Sequence, residues 1–353
     1  MELASRAGLT RQAVSSIEAS HYIPNTAVAL RLAQALNCDV EDLFILDSAA
    51  SEMSVDIVGG RRSDTSRLVL ARVGERLLGY PLSEGRALQQ GFQGADGLAT
   101  GARGAHATLL APPELLEKTA VLFGCDPSLG ILGAHVARRP DVRIVWLSAA
   151  SEAALDAIGQ GEAHVAGTHL PEPGDDFNLG HARRCLGPAG GLVVEFARWE
   201  LGLVVASGNP RSIAAASDLT RSDVRIVNRE HGSGSRALLD GLLERESIPG
   251  ASVNGYEREV STHVAAAAAV ATGGADAAIA LRATAAAMGL DFVPIDEVHF
   301  DFVVPRRHVD HPAVARMLDV LQTGALRAEL QALPGYNVAG IGTVRLDIPV
   351  ATP

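Results

Sequence analysis

Residues 225–243 read RIVNREHGSGSRALLDGLL. Arg225 to Val227 is a short strand, the glycines at 232 and 234 interrupt it, and beyond them apolar residues recur at helical spacing. A strand that turns through glycine into a helix is half of a parallel βαβ unit. The turn also carries chemistry. Glycines let backbone N–H groups approach a ligand, Gly234 among them. Ser233 and Ser235 bring hydroxyl donors, and Arg236 brings a planar fork for oxygens. All stand at a helix N-terminus, where free N–H groups and the helix dipole favour an anion. Capping a helix is the commonest duty of Ser at such a place, but it requires neither the two glycines nor the arginine. The string is not GxxxxGK[ST] and not GxGxxG, so no nucleotide cofactor is indicated.

The same alternation extends outward from this stretch. Lys118 to Phe123, Val142 to Leu147, Ala163 to Ala166, Leu201 to Ala206 and Ala277 to Ala280 read as strands, and helical patterns follow most of them. This predicts an α/β body with ligands bound outside the carboxyl ends of the strands. Small hydroxyl residues gather there: Ser128, Ser148, Ser151 and Thr168. Asp126 and Pro127 read as the start of one helix, and Ser151 as the cap of Glu152 to Ile158. Taken alone, Ser148 and Ser151 read as caps, and Asp126 works against an anion beside Ser128.

The strings GCDPSLGIL (124–132), GEAHVAGTHL (161–170), RWELGLVVASGNP (198–210), the stretch 227–243, 267–285 and GLDFVPIDEVHFDFVVP (289–305) keep a specific order and spacing. They resemble the periplasmic-binding-protein-like domain of molybdate-type solute-binding proteins, in the version fused to a helix-turn-helix. The resemblance implies a two-lobed (type II) α/β domain over 112–350. Lobe one would take 112–200 plus 300–350 and lobe two 201–299, with crossovers near 199–210 and 292–305. It also implies a small oxyanion, molybdate or tungstate, as effector, held in the cleft by ligands drawn from Ser128, Ser151, Thr168, Ser233, Gly234, Ser235, Arg236 and the strand end at Arg282.

The N-terminal 46 residues are of another kind. Thr10 caps a helical pattern with Val14 and Ile17 on one face, Thr26 caps another through Leu36, and Asn37 stands at its C-cap. The string ELASRAGLTRQAVSSIEASHYIPNTAVALRLAQALNCDVEDLF (2–44) resembles the lambda-repressor/Xre-type helix-turn-helix. The chain would begin inside that family's second helix, without its first. By position, Thr10, Arg11, Gln12 and Ser16 would meet DNA, since Arg pairs bidentately with guanine and Gln with adenine. Six acids (Glu2, Glu18, Asp39, Glu41, Asp42, Asp47) against three bases (Arg6, Arg11, Arg31) in the first 50 residues make a single copy a weak DNA binder, so a homodimer is expected. Residues 47–66 read as a Ser/Asp/Gly-rich linker, and 67–111 as a small β element.

Composition bounds the remainder. At 353 residues, 47% hydrophobic and 4% aromatic, the chain has room for two or three domains with aliphatic cores. A net charge of -11 excludes a general coat for nucleic acid. Cys38, Cys125 and Cys185 are scattered and odd in number, which excludes a disulfide framework. His164 with His169, and His231 with His263, lack HxxxH or HExxH spacing, so no metal site is expected. No GxSxG elbow and no pairing of acid and base is visible, so an enzyme is not expected, and no cofactor. Neither a signal peptide nor an apolar run of 18 residues is present, and the expected place is the cytoplasm, away from the membrane. The two resemblances together imply a ligand-responsive transcriptional regulator; the alternative is a cytoplasmic binding protein for an oxyanion or molybdenum-cofactor-related ligand, carrying a DNA-binding remnant.

Overall fold

The computed structural model describes residues 2–19, 21–44, 52–59, 66–82, 93–100, 106–172 and 176–351. The chain divides into two compact units, Met1–Glu52 and Met53–Pro353.

The first unit is all helix: Glu2–Arg6, Arg11–Glu18, Thr26–Leu36 and the short turn Val40–Leu43. Thr10 caps the second helix by accepting from the Ala13 N–H at 3.1 Å. The third is capped by Asn25 rather than Thr26, through the Val28 N–H at 3.0 Å, and it ends at Asn37 in the left-handed conformation. The core is small. Ala7, Leu32 and Ala35 are buried, and Leu3, Leu9, Val14, Ile17, Val28, Leu43 and Phe44 pack around them. Leu32 is the one large side chain at its centre, and Leu→Ala in a buried site costs about 2–5 kcal/mol. For so small a unit that is most of the available stability. The expected result for Leu32→Ala is loss of the helical transition of this unit in a circular-dichroism melt of the full chain, with the main transition unchanged. A unit that melts as in the wild type would show that Leu32 does not hold these helices.

The second unit is built on a mixed sheet in the order Ala277–Leu281, Gly191–Val205, Asp291–Pro305, Val165–Thr168, Thr119–Phe123, Arg143–Leu147. Three strands, Thr119–Phe123, Arg143–Leu147 and Val165–Thr168, are parallel neighbours joined by helices. The two 15-residue strands are antiparallel, with Gly191 opposite Pro305 and Val205 opposite Asp291. At about 3.3 Å per residue each spans roughly 50 Å, long enough to belong to two lobes at once. The first half of Gly191–Val205 and the second half of Asp291–Pro305 lie in a core with Leu122, Leu132 and Met317, and the far end of the ribbon in cores with Ile226, Leu239, Ala266 and Ile279. Register shifts at Glu195/Ala197 and Leu201/Gly202 bend the ribbon between the lobes. This is the two-lobed periplasmic-binding-protein-like fold. The first crossing begins earlier than expected, because its apolar residues run on through both cores, and the return crossing lies where it was expected.

Six shorter strands form a second sheet, in the order Glu52–Ser54, His106–Leu109, Gly97–Thr100, Arg67–Val73, Arg76–Pro81, Asp56–Ile57. One face joins the core of Val121, Phe123, Val145 and Leu147 through Val69, Leu78 and Tyr80. Buried Asp96 clamps Arg143 with two bonds of 2.8 Å. Part of the expected linker is therefore corrected. Met53, Val55 and Ile57 alternate inward, Val55 and Val58 are buried, and the run pairs into the sheet; the rest of 47–66 lies outside the described residues apart from Gly59 and Ser66. Among the described residues, no helix is long and apolar enough to cross a membrane.

Candidate functional site in the interlobe cleft

The carboxyl ends of the three parallel strands open onto one place. Leu147 and Gly124 are tied by the Gly124 N–H donating to the Leu147 carbonyl at 3.1 Å, and Ala149 donates back to Gly124 at 3.3 Å. Ser151 does not cap its helix. The helix runs Ser151–Gly159 with Ala150 at the cap, and the Ser151 hydroxyl instead accepts from the His169 N–H at 3.1 Å, tying two strand ends together. Nor does Asp126 begin a helix. Ser128 is the cap residue, and the Asp126 carboxylate accepts from the Ser128 N–H (2.7 Å) and the Tyr336 hydroxyl (2.6 Å). Burial pushes the Asp126 carboxyl up to about 6.

The stretch 230–236 closes against these ends from the other lobe. The Glu152 N–H donates to the Gly232 carbonyl at 3.1 Å. Gly232 has φ +78. At Gly234 a Cβ would lie 2.0 Å from the His169 carbonyl oxygen, so only glycine permits this approach. Gly234→Ala is accordingly expected to hold the lobes apart, with faster amide hydrogen exchange over residues 165–170 and 228–236. Unchanged exchange there would mean that the two segments are not pressed together in solution.

Several buried polar atoms at this junction have no hydrogen-bond partner: the hydroxyls of Ser128, Ser148, Thr168 and Ser235, the indole Nε1 of Trp199, one guanidinium nitrogen (NH1) of Arg229, both ring nitrogens of His169 and of His263, and the Oδ2 of Asp126, an acceptor among these groups. Burying such groups unpaired is costly, and a ligand is the usual remedy. Trp199 lies on the ribbon between the two register shifts, opposite Val298. Its ring packs 4.9 Å from His169 and 5.5 Å from His263. Arg229 ends the short strand Asn228–Arg229 and is 1% exposed. Its Nε and NH2 bond Glu230 at 2.8 and 3.0 Å, and NH2 also reaches the Ser261 carbonyl. Burial, helped by the Arg229 charge, pushes His169 down to about 3 and His263 well below its ordinary value, so both imidazoles are neutral. Burial pushes the Cys125 thiol up to about 12.

The expected ligand set is thus divided. Ser128, Ser151, Thr168, Gly234 and Ser235 stand at the junction. Ser233 also stands there, but its hydroxyl accepts from the Arg236 N–H at 3.2 Å as a helix cap. Arg236 is a correction. Its guanidinium Nε bonds Asp240 at 3.0 Å, its NH1 bonds Glu259 at 3.1 Å, and it lies 4.3 Å over the Tyr256 ring, so these donors are already engaged by its own lobe. Arg282 pairs with Glu200 at 2.5 Å, stacks over Phe292 and is partly exposed, while its Nε has no directed hydrogen bond. A buried guanidinium with an unpartnered nitrogen stands seven residues before Arg236, at Arg229, outside the GSGSR string. Its signal was its place at the end of a strand, since a charged residue is seldom buried without a task.

In the first unit, Arg11 and Gln12 are exposed on the helix Arg11–Glu18. Ser16 is half-buried, and its carbonyl accepts from the His21 and Tyr22 N–H groups at 2.8 and 3.2 Å. Val14 and Ile17 turn toward the core.

Comparison with known proteins agrees with this division. The helix-turn-helix family matches residues 2–43 and the PBP superfamily domain matches residues 133–322. The uncharacterized protein YvgK of Bacillus subtilis (strain 168) is 31% identical over 229 residues, covering 64% of this chain and 73% of its own. An uncharacterized HTH-type transcriptional regulator of Methanothermobacter thermautotrophicus is 47% identical over 47 residues, 13% of this chain and 68% of that protein. Among solved structures, the sulfate-binding protein SubI from Mycobacterium tuberculosis H37Rv superposes with a TM-score of 0.46 at 17% identity, over 62% of this chain and 86% of that one. Helix-turn-helix and binding-protein domain in one chain is the arrangement of a ligand-responsive regulator. The chain belongs to the PBP superfamily, with an Xre-type helix-turn-helix joined ahead of its two-lobed domain.

Proposed function

We propose that this protein is a ligand-responsive transcriptional regulator in the cytoplasm, not an enzyme, whose cleft binds a small oxyanion of the molybdate or tungstate class. The observation that carries the anion is the buried, unpartnered NH1 of Arg229. The same junction carries unpartnered hydroxyls and an indole N–H, donors that a fully ionised tetrahedral anion can accept from. Molybdate and tungstate, rather than sulfate, follow from the resemblance carried by strings 124–132, 161–170 and 198–210. Direct contact with DNA is assigned to Thr10, Arg11, Gln12 and Ser16; the 47%-identical regulator supports this role. A homodimer is part of the proposal, because three bases against six acids give one copy little phosphate affinity.

Ligand can alter DNA affinity only by favouring one conformer, and the coupling is reciprocal. The test is fluorescence anisotropy on DNA fragments selected by the protein, with and without saturating molybdate, followed by molybdate titration with and without that DNA. Equal factors in the two directions are expected. That acidic balance also favours a second reading, a binding protein whose helix-turn-helix no longer reads DNA; selection that enriches no fragment would favour it.

A further inference from the structure

The cleft holds three side chains that an oxyanion leaves unsatisfied. Cys125, His169 and His263 offer ligand atoms that all lie within 4.8 Å of one another, and all three side chains are buried. They come from separate elements: Cys125 follows the strand Thr119–Phe123, His169 follows Val165–Thr168, and His263 opens the helix His263–Ala271 in the other lobe. All four imidazole nitrogens are without partners. A neutral imidazole carries one N–H and one lone pair. An anion without a proton accepts from the N–H and gives nothing to the lone pair or the buried sulfur. A Lewis acid is what those atoms match.

We propose that Cys125, His169 and His263 form a site for a thiophilic d10 metal ion such as Zn2+, bound by one sulfur and two imidazole nitrogens across the two lobes. Sulfur and imidazole together select such ions over Mg2+ or Ca2+. Binding is an exchange: the Cys125 thiol gives up its proton to solvent as the metal–sulfur bond forms, with no change of oxidation state. The thiolate offsets part of the ion's charge beside Arg229. Three protein ligands leave a fourth position for a donor atom from solvent or effector. Because His263 belongs to the second lobe, the ion would tie the lobes together. The local spacing of His164 with His169 and of His231 with His263 does not contain this set, since its members meet only in the fold. The inference rests on the cluster and not on the anion.

Co2+ is the probe, added to the full chain after dialysis against a chelator. The expected result is a sulfur-to-cobalt charge-transfer band that saturates at one equivalent and is displaced by Zn2+. Cys125→Ser should abolish the band and His263→Ala should weaken binding by at least 100-fold, each with a circular-dichroism spectrum of the wild-type kind. The double variant Cys38→Ser/Cys185→Ser should keep the band. Absence of the band, its survival in Cys125→Ser, or its loss in the double variant would overturn the site. If Cys125→Ser does not fold, unchanged Co2+ affinity in His263→Ala would do so. Molybdate calorimetry on the metal-free chain separates this outcome from failure of the anion reading.

Discussion

Arg229→Met is expected to weaken oxyanion binding by at least about 30-fold, since a buried charged partner is worth about 2–5 kcal/mol. The substitution keeps much of the apolar stem and removes the buried, unpartnered NH1. Glu230, left behind, still reaches solvent, with 23% of its side chain exposed, so it does not become an isolated buried charge. Arg236→Ala is the control. Its guanidinium is engaged by Asp240, Glu259 and Tyr256, so its loss should change affinity less than about threefold while costing some stability, as for other part-exposed ion pairs. Calorimetry on the two variants decides between the arginines. The reverse ranking would return the GSGSR arginine to the site and remove Arg229 from it.

The second large effect concerns acid. His164, His308 and His311 pack together beside lobe one, with the His164 ring 4.7 and 4.5 Å from the other two. His164 Nδ1 accepts from the Val121 N–H at 3.0 Å, which requires that nitrogen to be unprotonated. Burial, and then the neighbouring His311 and His308, push His164 down to about 2; burial pushes His308 down to about 4. The sign follows from linkage. A histidine whose folded pKa lies below its unfolded value takes up protons on unfolding, so its contribution is complete above about pH 6.5 and is lost as pH falls toward the folded value. By pH 5 the loss is about 2 kcal/mol for each such histidine. Asp126 and Asp301, both raised to about 6 by burial, act with the opposite sign and gain about 1 kcal/mol each on the same descent. His164→Asn isolates one term, because an amide oxygen can accept from Val121 and carries no charge. Its stability deficit against the wild type at pH 7.5 should shrink by about 2 kcal/mol at pH 5, read from urea unfolding. A deficit that stays constant would mean that His164 is not held neutral by the fold.

The architecture was largely visible in the sequence because it rests on local pattern. Apolar runs ending at Phe123, Leu147 and Thr168, each followed by a helix, are what parallel strands require, and Thr10 and Asn37 mark helix ends by their own chemistry. Two features escaped. The run Met53, Val55, Ile57 is short and lies in a Ser- and Asp-rich context, so its alternation was read as linker although it pairs into a sheet. The long strand Gly191–Val205 was seen only at the end where it crosses, since a strand buried in two successive cores has no single period to reveal it, whereas the return strand Asp291–Pro305 lies where 292–305 was expected. The site was legible as a location and less so as a residue list. Serines and glycines at strand ends stand where the pattern put them. Which arginine is free depends on the company of each guanidinium, and Asp240, four residues after Arg236 on the same helix, was the one local sign that Arg236 was already paired. The meeting of His169 with His263 depends on lobe closure, which no spacing expresses.

We propose above all that the cleft between the lobes takes a small oxyanion. Isothermal titration calorimetry of the full chain with molybdate, tungstate, sulfate and phosphate tests it directly. Saturable binding of molybdate or tungstate at one equivalent per chain, tighter than that of sulfate or phosphate, is expected. No heat from any of the four anions at neutral pH would contradict it.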